Sequence, residues 1–127
     1  MTETWQNLAE DAYRAAWSLR RDRHWRSMIS RAYYAVYSRM ASLRVARGVT
    51  MPSDREGPSH ATLATLVRTH LTHLGDRRWA ISGRVKALYN QRRRADYQPS
   101  ESVDESDVQN VMQMMMDIFH LSQEKKP

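Results

Sequence analysis

Residues 88–100, LYNQRRRADYQPS, gather residue types that handle phosphate: three consecutive arginines, an aspartate and a tyrosine, just ahead of a proline. An arginine fork can give two parallel hydrogen bonds to phosphate or carboxylate and cannot shed its charge. On a helix running into this stretch, Ile81, Val85 and Leu88 mark the inward stripe, and Arg92 is the next position on it, before Ala95 or Asp96. Asp96 follows Arg92 by four residues, so the two side chains can touch, as a partly buried guanidinium requires. Arg94 lies roughly 200° around the helix from Arg92 and is expected in solvent, with Arg93 between them. Two readings stay open. In the plainer one, Arg92 and Asp96 are an ion pair that finishes a helix and Tyr97 is a terminal aromatic. In the other, the three form the polar part of a site.

Other residues could add chemistry. With no cysteine in the chain, disulfides, thiolate zinc sites and a cysteine nucleophile are excluded, and a reducing cytoplasm suits the composition. His70 and His73 are three apart, on one face of a helix, but an HxxH pair without a third ligand falls short of a zinc site and reads as surface. His60 follows Ser59 at the expected start of a helix, where a histidine packs or caps more often than it reacts; His24 and His120 carry no pattern. In RAYYAVY, Tyr33, Tyr34 and Tyr37 are either core-edge aromatics with satisfied hydroxyls or groove residues that stack on bases. The methionines of MQMMM are either core filler or an adaptable docking face.

These residues need a scaffold, and 127 residues is the length of one domain, here 1–127 with its core in about 5–121. Trp5, Leu8, Ala12, Ala15, Ala16 and Leu19 recur at helical spacing, with Thr4 as cap. From Trp25 to Val45 the apolar positions cover more than one face, so this helix buries two sides; Gly48 ends it, and GVTMPSDREGPS reads as a loop. A third helix is expected from Ser59 through Leu63, Leu66, Val67, Leu71 and Leu74, with Gly75 and Asp76 as the next turn. A fourth runs from Arg77 to about Asp96, limited by Pro99. Ser102 and Glu105 have capping-box spacing before a last helix that carries Val108, Val111, Met112, Met115 and Ile118 to about Leu121; residues 122–127 are expected to fray. No segment alternates with period two. The class is all-α, an up-and-down bundle of four to five helices.

The net charge of +6 comes mainly from arginine. From Asp76 to Arg94, six arginines and one lysine stand against one aspartate, and the second helix region adds Arg23, Arg26, Arg31, Arg39, Arg44 and Arg47. Gathered on one face, they would bind a polyanion such as RNA with steep salt dependence; scattered, they would only solvate helices. No apolar run approaches the roughly 20 residues that span a bilayer, and the N-terminus lacks a basic region followed by an apolar one, so neither membrane insertion nor export by a signal peptide is expected.

Three motifs in order, RSMISRAYYAVYSRM, SHATL and RRRADY, resemble the HEPN domain, in particular small stand-alone HEPN proteins with an RAYYA helix, a Ser/Thr-His step and a terminal RxxADY. The resemblance covers about residues 5–121. It implies a homodimer in which the ends of two fourth helices meet in a groove. It also implies one of three roles: a metal-independent endoribonuclease of a toxin–antitoxin or defence system, a toxin neutralised by a nucleotidyltransferase of the MNT type, or a non-catalytic module that binds a nucleotide or a protein. In the nuclease branches an arginine followed after four to six residues by a histidine supplies the catalytic pair. Arg92 matches that arginine, but Tyr97 stands where the histidine belongs. RNA cleavage without metal needs proton carriers matched to neutral pH, and a phenol near pKa ~10 is a poor match. On this resemblance Arg92 contacts phosphate, Asp96 orients it, and Tyr97 hydrogen-bonds phosphate, acts as acid or base, or accepts a nucleotide from an MNT partner. Arg93, His60, Tyr33 and Tyr34 are the remaining candidate binding residues. Neither a cofactor nor a metal is expected.

Overall fold

The computed structural model describes residues 4–48 and 58–123. Among them the secondary structure is entirely helical: α1 (Trp5–Arg21), α2 (Trp25–Ala46), α3 (Leu63–His70), a 3-10 turn (Thr72–Leu74), α4 (Arg77–Tyr97) and α5 (Glu105–Leu121). The expected loop at 49–57 and the expected fraying at 124–127 lie outside the described residues.

Thr4 caps α1 as its spacing predicts, its hydroxyl accepting from the Asn7 amide at 3.0 Å. The inward face of α1 is made of small residues, Ala9, Ala12 and Ala16, while Leu8 is 41% exposed rather than buried. Small residues let α1 approach α2 closely. Trp5 packs edge-on to Tyr37, and Arg39 donates to Gln6 at 2.9 Å, so the two helices run antiparallel through the short turn at 22–24.

α2 buries two sides, as its wide apolar pattern predicts. Met28, Ile29, Ala32, Tyr33, Ala35, Val36 and Met40 are wholly enclosed, and the helix packs against each of the other four. Gly48 ends it with φ +74°, the left-handed conformation that glycine adopts without penalty.

The third helix differs from its sequence pattern at both ends. It starts at Leu63 rather than Ser59, because the preceding segment is committed to α2: the Pro58 carbonyl accepts from the Tyr37 hydroxyl at 2.7 Å, and the His60 ring bonds Tyr33. It stops at His70, where Arg78 takes the Arg68 carbonyl at 3.1 Å, and Leu71 and Leu74 reach the core from the following turn instead. The capping box before α5 is Asp104 with Asp107, not Ser102 with Glu105. Each aspartate accepts the other's amide, at 2.9 and 3.1 Å, while the Ser102 carbonyl is taken by Arg94. Of the MQMMM methionines, Met112 and Met115 are core residues and Met114 and Met116 lie partly buried against the core.

Many of the arginines act as clamps. Arg26 donates to the Arg94, Ala95 and Gln98 carbonyls at 3.3, 3.0 and 3.3 Å, and also to the Glu101 carbonyl. These carbonyls lie where α4 ends and its last carbonyls run out of helical partners; the Arg94 and Gln98 carbonyls also accept the Gln98 and Glu101 amides, at 3.2 and 3.0 Å. Arg94, expected in solvent, instead ties α4 to the start of α5 through the Ser102 carbonyl and Asp107. Arg39 holds Ser122 by hydroxyl and carbonyl at 3.1 and 2.8 Å. Ser122 is therefore buried and not part of a frayed tail. Arg77 donates to the Leu121 and Gln123 carbonyls, and Arg84 pairs with Asp117. The basic residues of the described chain thus include helix-end clamps as well as an exposed set, Arg14, Arg21, Arg23, Arg31, Arg47, Lys86 and Arg93. No helix among the described residues is long and apolar enough to cross a membrane.

Candidate functional site

The end of α4 lies antiparallel against the first half of α2, with Arg26 of α2 holding the carbonyls of the last α4 turn. This fixes Arg92 over the α2 tyrosines. Arg92 sits on the inward stripe as predicted, between the buried residues Leu88 and Ala95, and its side chain is 12% exposed. Its Nε lies 2.9 Å from Asp96 Oδ2, a charge contact in which the N–H does not point well at the oxygen. Nη2 donates to the Tyr34 hydroxyl at 3.0 Å and to the Tyr97 hydroxyl at 3.2 Å. The guanidinium also stands over the rings of Tyr97, Tyr34 and Tyr33, with centroids 5.1, 5.4 and 5.7 Å away. Nη1 makes no hydrogen bond among the described residues and is not sealed from solvent.

Burial works against the Arg92 charge, but the Tyr34 and Tyr97 phenols and the Asp96 carboxylate outweigh it and hold the group above its ordinary value. Asp96 is held from the α2 side as well, accepting from the Ser30 hydroxyl at 3.2 Å. Beside this pair opens a cleft of about 580 Å³, lined by Arg26, Ser30, Arg31, Tyr34 and Asp96 among others.

Behind Arg92 the aromatic layer continues. Tyr33 is wholly buried, so its ring supports Arg92 from below and cannot stack on a ligand. Tyr34 is the one of the three tyrosines turned to the guanidinium with its hydroxyl. Tyr33 Oη and His60 Nδ1 share a hydrogen bond of 2.7 Å, and the His60 ring stacks on Tyr37 at 4.5 Å. Burial first, and the Arg92 charge second, push His60 below its ordinary value, which keeps the ring neutral at pH 7. Burial pushes the Tyr33 phenol up, and Arg92 opposes this only in part.

The sequence-predicted residues therefore fall into three groups. Arg92, Asp96, Tyr97 and Tyr34 meet directly; Tyr33 and His60 join them through the aromatic layer. Arg93 points elsewhere, with its guanidinium 5.9 Å from the Tyr89 ring. His70 closes α3 and His73 lies on the following 3-10 turn, so the two do not share a continuous helical face. Among the described residues no group of three or more potential ligands could hold a metal. Ser30, Tyr89 and Arg26 were not singled out from the sequence. Arg26, Ser30 and Tyr34 follow one another at four-residue steps, and that spacing places all three on one face of α2, but does not say which helix packs there.

In chemical terms the site is one permanent cation, fixed in direction by a carboxylate and two hydroxyls, with one amine of its fork uncommitted. Such a group receives an anion without reorganising. The chain matches no protein-family model, no curated protein and no solved structure.

Proposed function

We propose that this chain is a HEPN-like protein that acts on RNA as a homodimer, with Arg92 as its phosphate-contacting residue, in the manner of a metal-independent endoribonuclease from a bacterial toxin–antitoxin or defence system. The observation that carries the reading is the Arg92 environment. An inward arginine that served only to finish a helix needs one carboxylate, whereas this one has Asp96, two hydroxyls and three aromatic rings, and still keeps Nη1 open. Two such groups facing each other across a dimer would double the field on a phosphodiester. Asp96 orients the guanidinium, Ser30 orients Asp96, and Tyr34 and Tyr97 complete the hydrogen-bonding rim.

The test is incubation of the purified protein with structured and unstructured RNA in chelator, beside Arg92→Ala. The reading expects cleavage that the variant loses; intact RNA with salt-sensitive retention favours the non-catalytic binding reading instead. Intact RNA with no retention by the wild type would overturn it.

A second reading is favoured by one observation. Tyr97 is 65% exposed, yet its hydroxyl lies 3.2 Å from Arg92. An accessible phenol beside a phosphate-receiving cation is a natural acceptor for a nucleotidyl group, delivered by a partner of the MNT type, with pyrophosphate leaving. In that case the protein is a nucleotide- or protein-binding module whose groove is blocked by the added charge. A mass increase of one nucleotide that Tyr97→Phe abolishes would favour this reading over the first.

A further inference from the structure

A second opening lies between α3 and α4, and the Arg92 site does not use it. It is a groove of about 220 Å³, lined by His60, Arg68, Lys86, Tyr89 and Asn90 together with small aliphatic positions and Thr65. We infer that this groove is a nucleotide subsite, which takes one nucleobase along Tyr89 and Asn90 and the attached phosphate at Lys86 and Arg68.

Charge is the first reason. Two cations line the groove and no carboxylate does. Arg68 donates only to neutral acceptors, Ser82 Oγ at 3.1 Å and Thr65 Oγ1 at 3.3 Å, so its charge is not cancelled locally. Lys86 is exposed and has no ion pair among the described residues. An anion is therefore favoured over a cation or a basic peptide. Size is the second. The volume falls below the roughly 300 Å³ at which pockets begin to enclose drug-sized ligands, so it suits a single ring rather than a dinucleotide. Chemistry is the third. Tyr89 is half-buried and held between Tyr33, at 5.9 Å, and Arg93, at 5.9 Å, so it is a fixed aromatic wall. Asn90 is exposed and its amide offers both donor and acceptor to a base edge.

The groove also adjoins the Arg92 site. His60 lines it and bonds Tyr33, whose ring lies under Arg92, while Arg93 reaches from the Arg92 segment to Tyr89. A strand whose phosphate sits at Arg92 would place a neighbouring nucleotide here. The inference rests on the RNA reading above for that placement. The same nucleotide chemistry could also come from a free mononucleotide.

Both sources are tested by fluorescence anisotropy with a short fluorescein-labelled oligoadenylate, and by calorimetric titration with AMP, on wild type, Lys86→Ala/Asn90→Ala and Arg92→Ala. Lys86 and Asn90 are exposed, so their double variant should fold, and matching circular dichroism spectra check that. A loss of about tenfold in oligoadenylate affinity in the double variant, with a shallower salt dependence and no AMP binding, assigns the subsite to RNA. AMP binding by the wild type that the double variant loses assigns it to a free nucleotide. If Arg92→Ala loses oligoadenylate while the double variant binds it like the wild type and neither takes AMP, the subsite is overturned and the Arg92 reading survives. If the wild type binds neither probe, both fall.

Discussion

Replacing Arg26 by alanine should do more damage than its half-exposed position on α2 suggests. Its guanidinium serves carbonyls of Arg94, Ala95, Gln98 and Glu101, at the point where α4 ends and the chain turns towards α5. A hydrogen bond from a charged donor contributes on the order of 1.5–3 kcal/mol where it is shielded, and only the contacts to Arg94 and Ala95 are part-buried. The contacts at Gln98 and Glu101 are exposed, and water can replace the arginine there. A loss of about 2–3 kcal/mol follows, which for a domain of this length lowers Tm by roughly 8–12 °C. The assay is thermal unfolding by far-UV circular dichroism, with Arg31→Ala as the charge-matched control. Arg31 is exposed on the same helix, and its removal should stay within about 0.5 kcal/mol. Arg26→Lys should recover only part of the loss, since one ammonium cannot span the same set of carbonyls. If Arg26→Ala and Arg31→Ala melt within a degree or two of each other, the clamp does not hold the end of α4, and the positioning of Arg92 needs another cause.

Because His60 is held below its ordinary value, the unfolded chain binds more protons than the folded one as pH falls below about 6.5; stability should therefore decline from there downward, and His60→Gln should flatten that decline in urea unfolding across the range. Asp107 is also held below its ordinary value, first by the Asp104 amide and then by Arg94. Asp107→Ala should cost about 1–2 kcal/mol at pH 7, and since the wild-type advantage exists above the unfolded carboxylate value and is lost as pH falls through the folded one, the two proteins should converge in acid below about pH 4. Gly75 has φ +60° and ψ −140°, a region nearly reserved for glycine, and an added Cβ would meet no atom within 4 Å. Gly75→Ala should therefore cost about 1–3 kcal/mol from backbone strain alone, measurable by the same unfolding curves.

The sequence carried the helices with strong apolar periods, α1, α2, α4 and α5, because burial of one or two faces is what their spacing encodes. It misplaced both ends of α3, where Tyr37 and Tyr33 of α2 and Arg78 of α4 capture groups that helical propensity would have kept local. Of the site, the Arg92–Asp96 contact was legible because it lies within one helix. The Tyr34 hydroxyl, the Ser30 support of Asp96 and the Arg26 clamp all cross from α2 to α4, and no local pattern states which residues two helices will oppose. Arg94 shows the same limit: its angle around the helix points away from Arg92, but α5 packs there and supplies Asp107. The basic count likewise could not separate clamps from surface charges, since only tertiary packing decides which carbonyls an arginine meets.

The most direct measurement of the central claim is RNA affinity, measured in chelator, for Arg92→Lys beside the wild type and Arg92→Ala. Lysine keeps the charge but not the fork that reaches Asp96, Tyr34 and Tyr97 together and leaves Nη1 over. The account predicts that Arg92→Lys binds RNA nearly as poorly as Arg92→Ala; wild-type binding by either variant would contradict it.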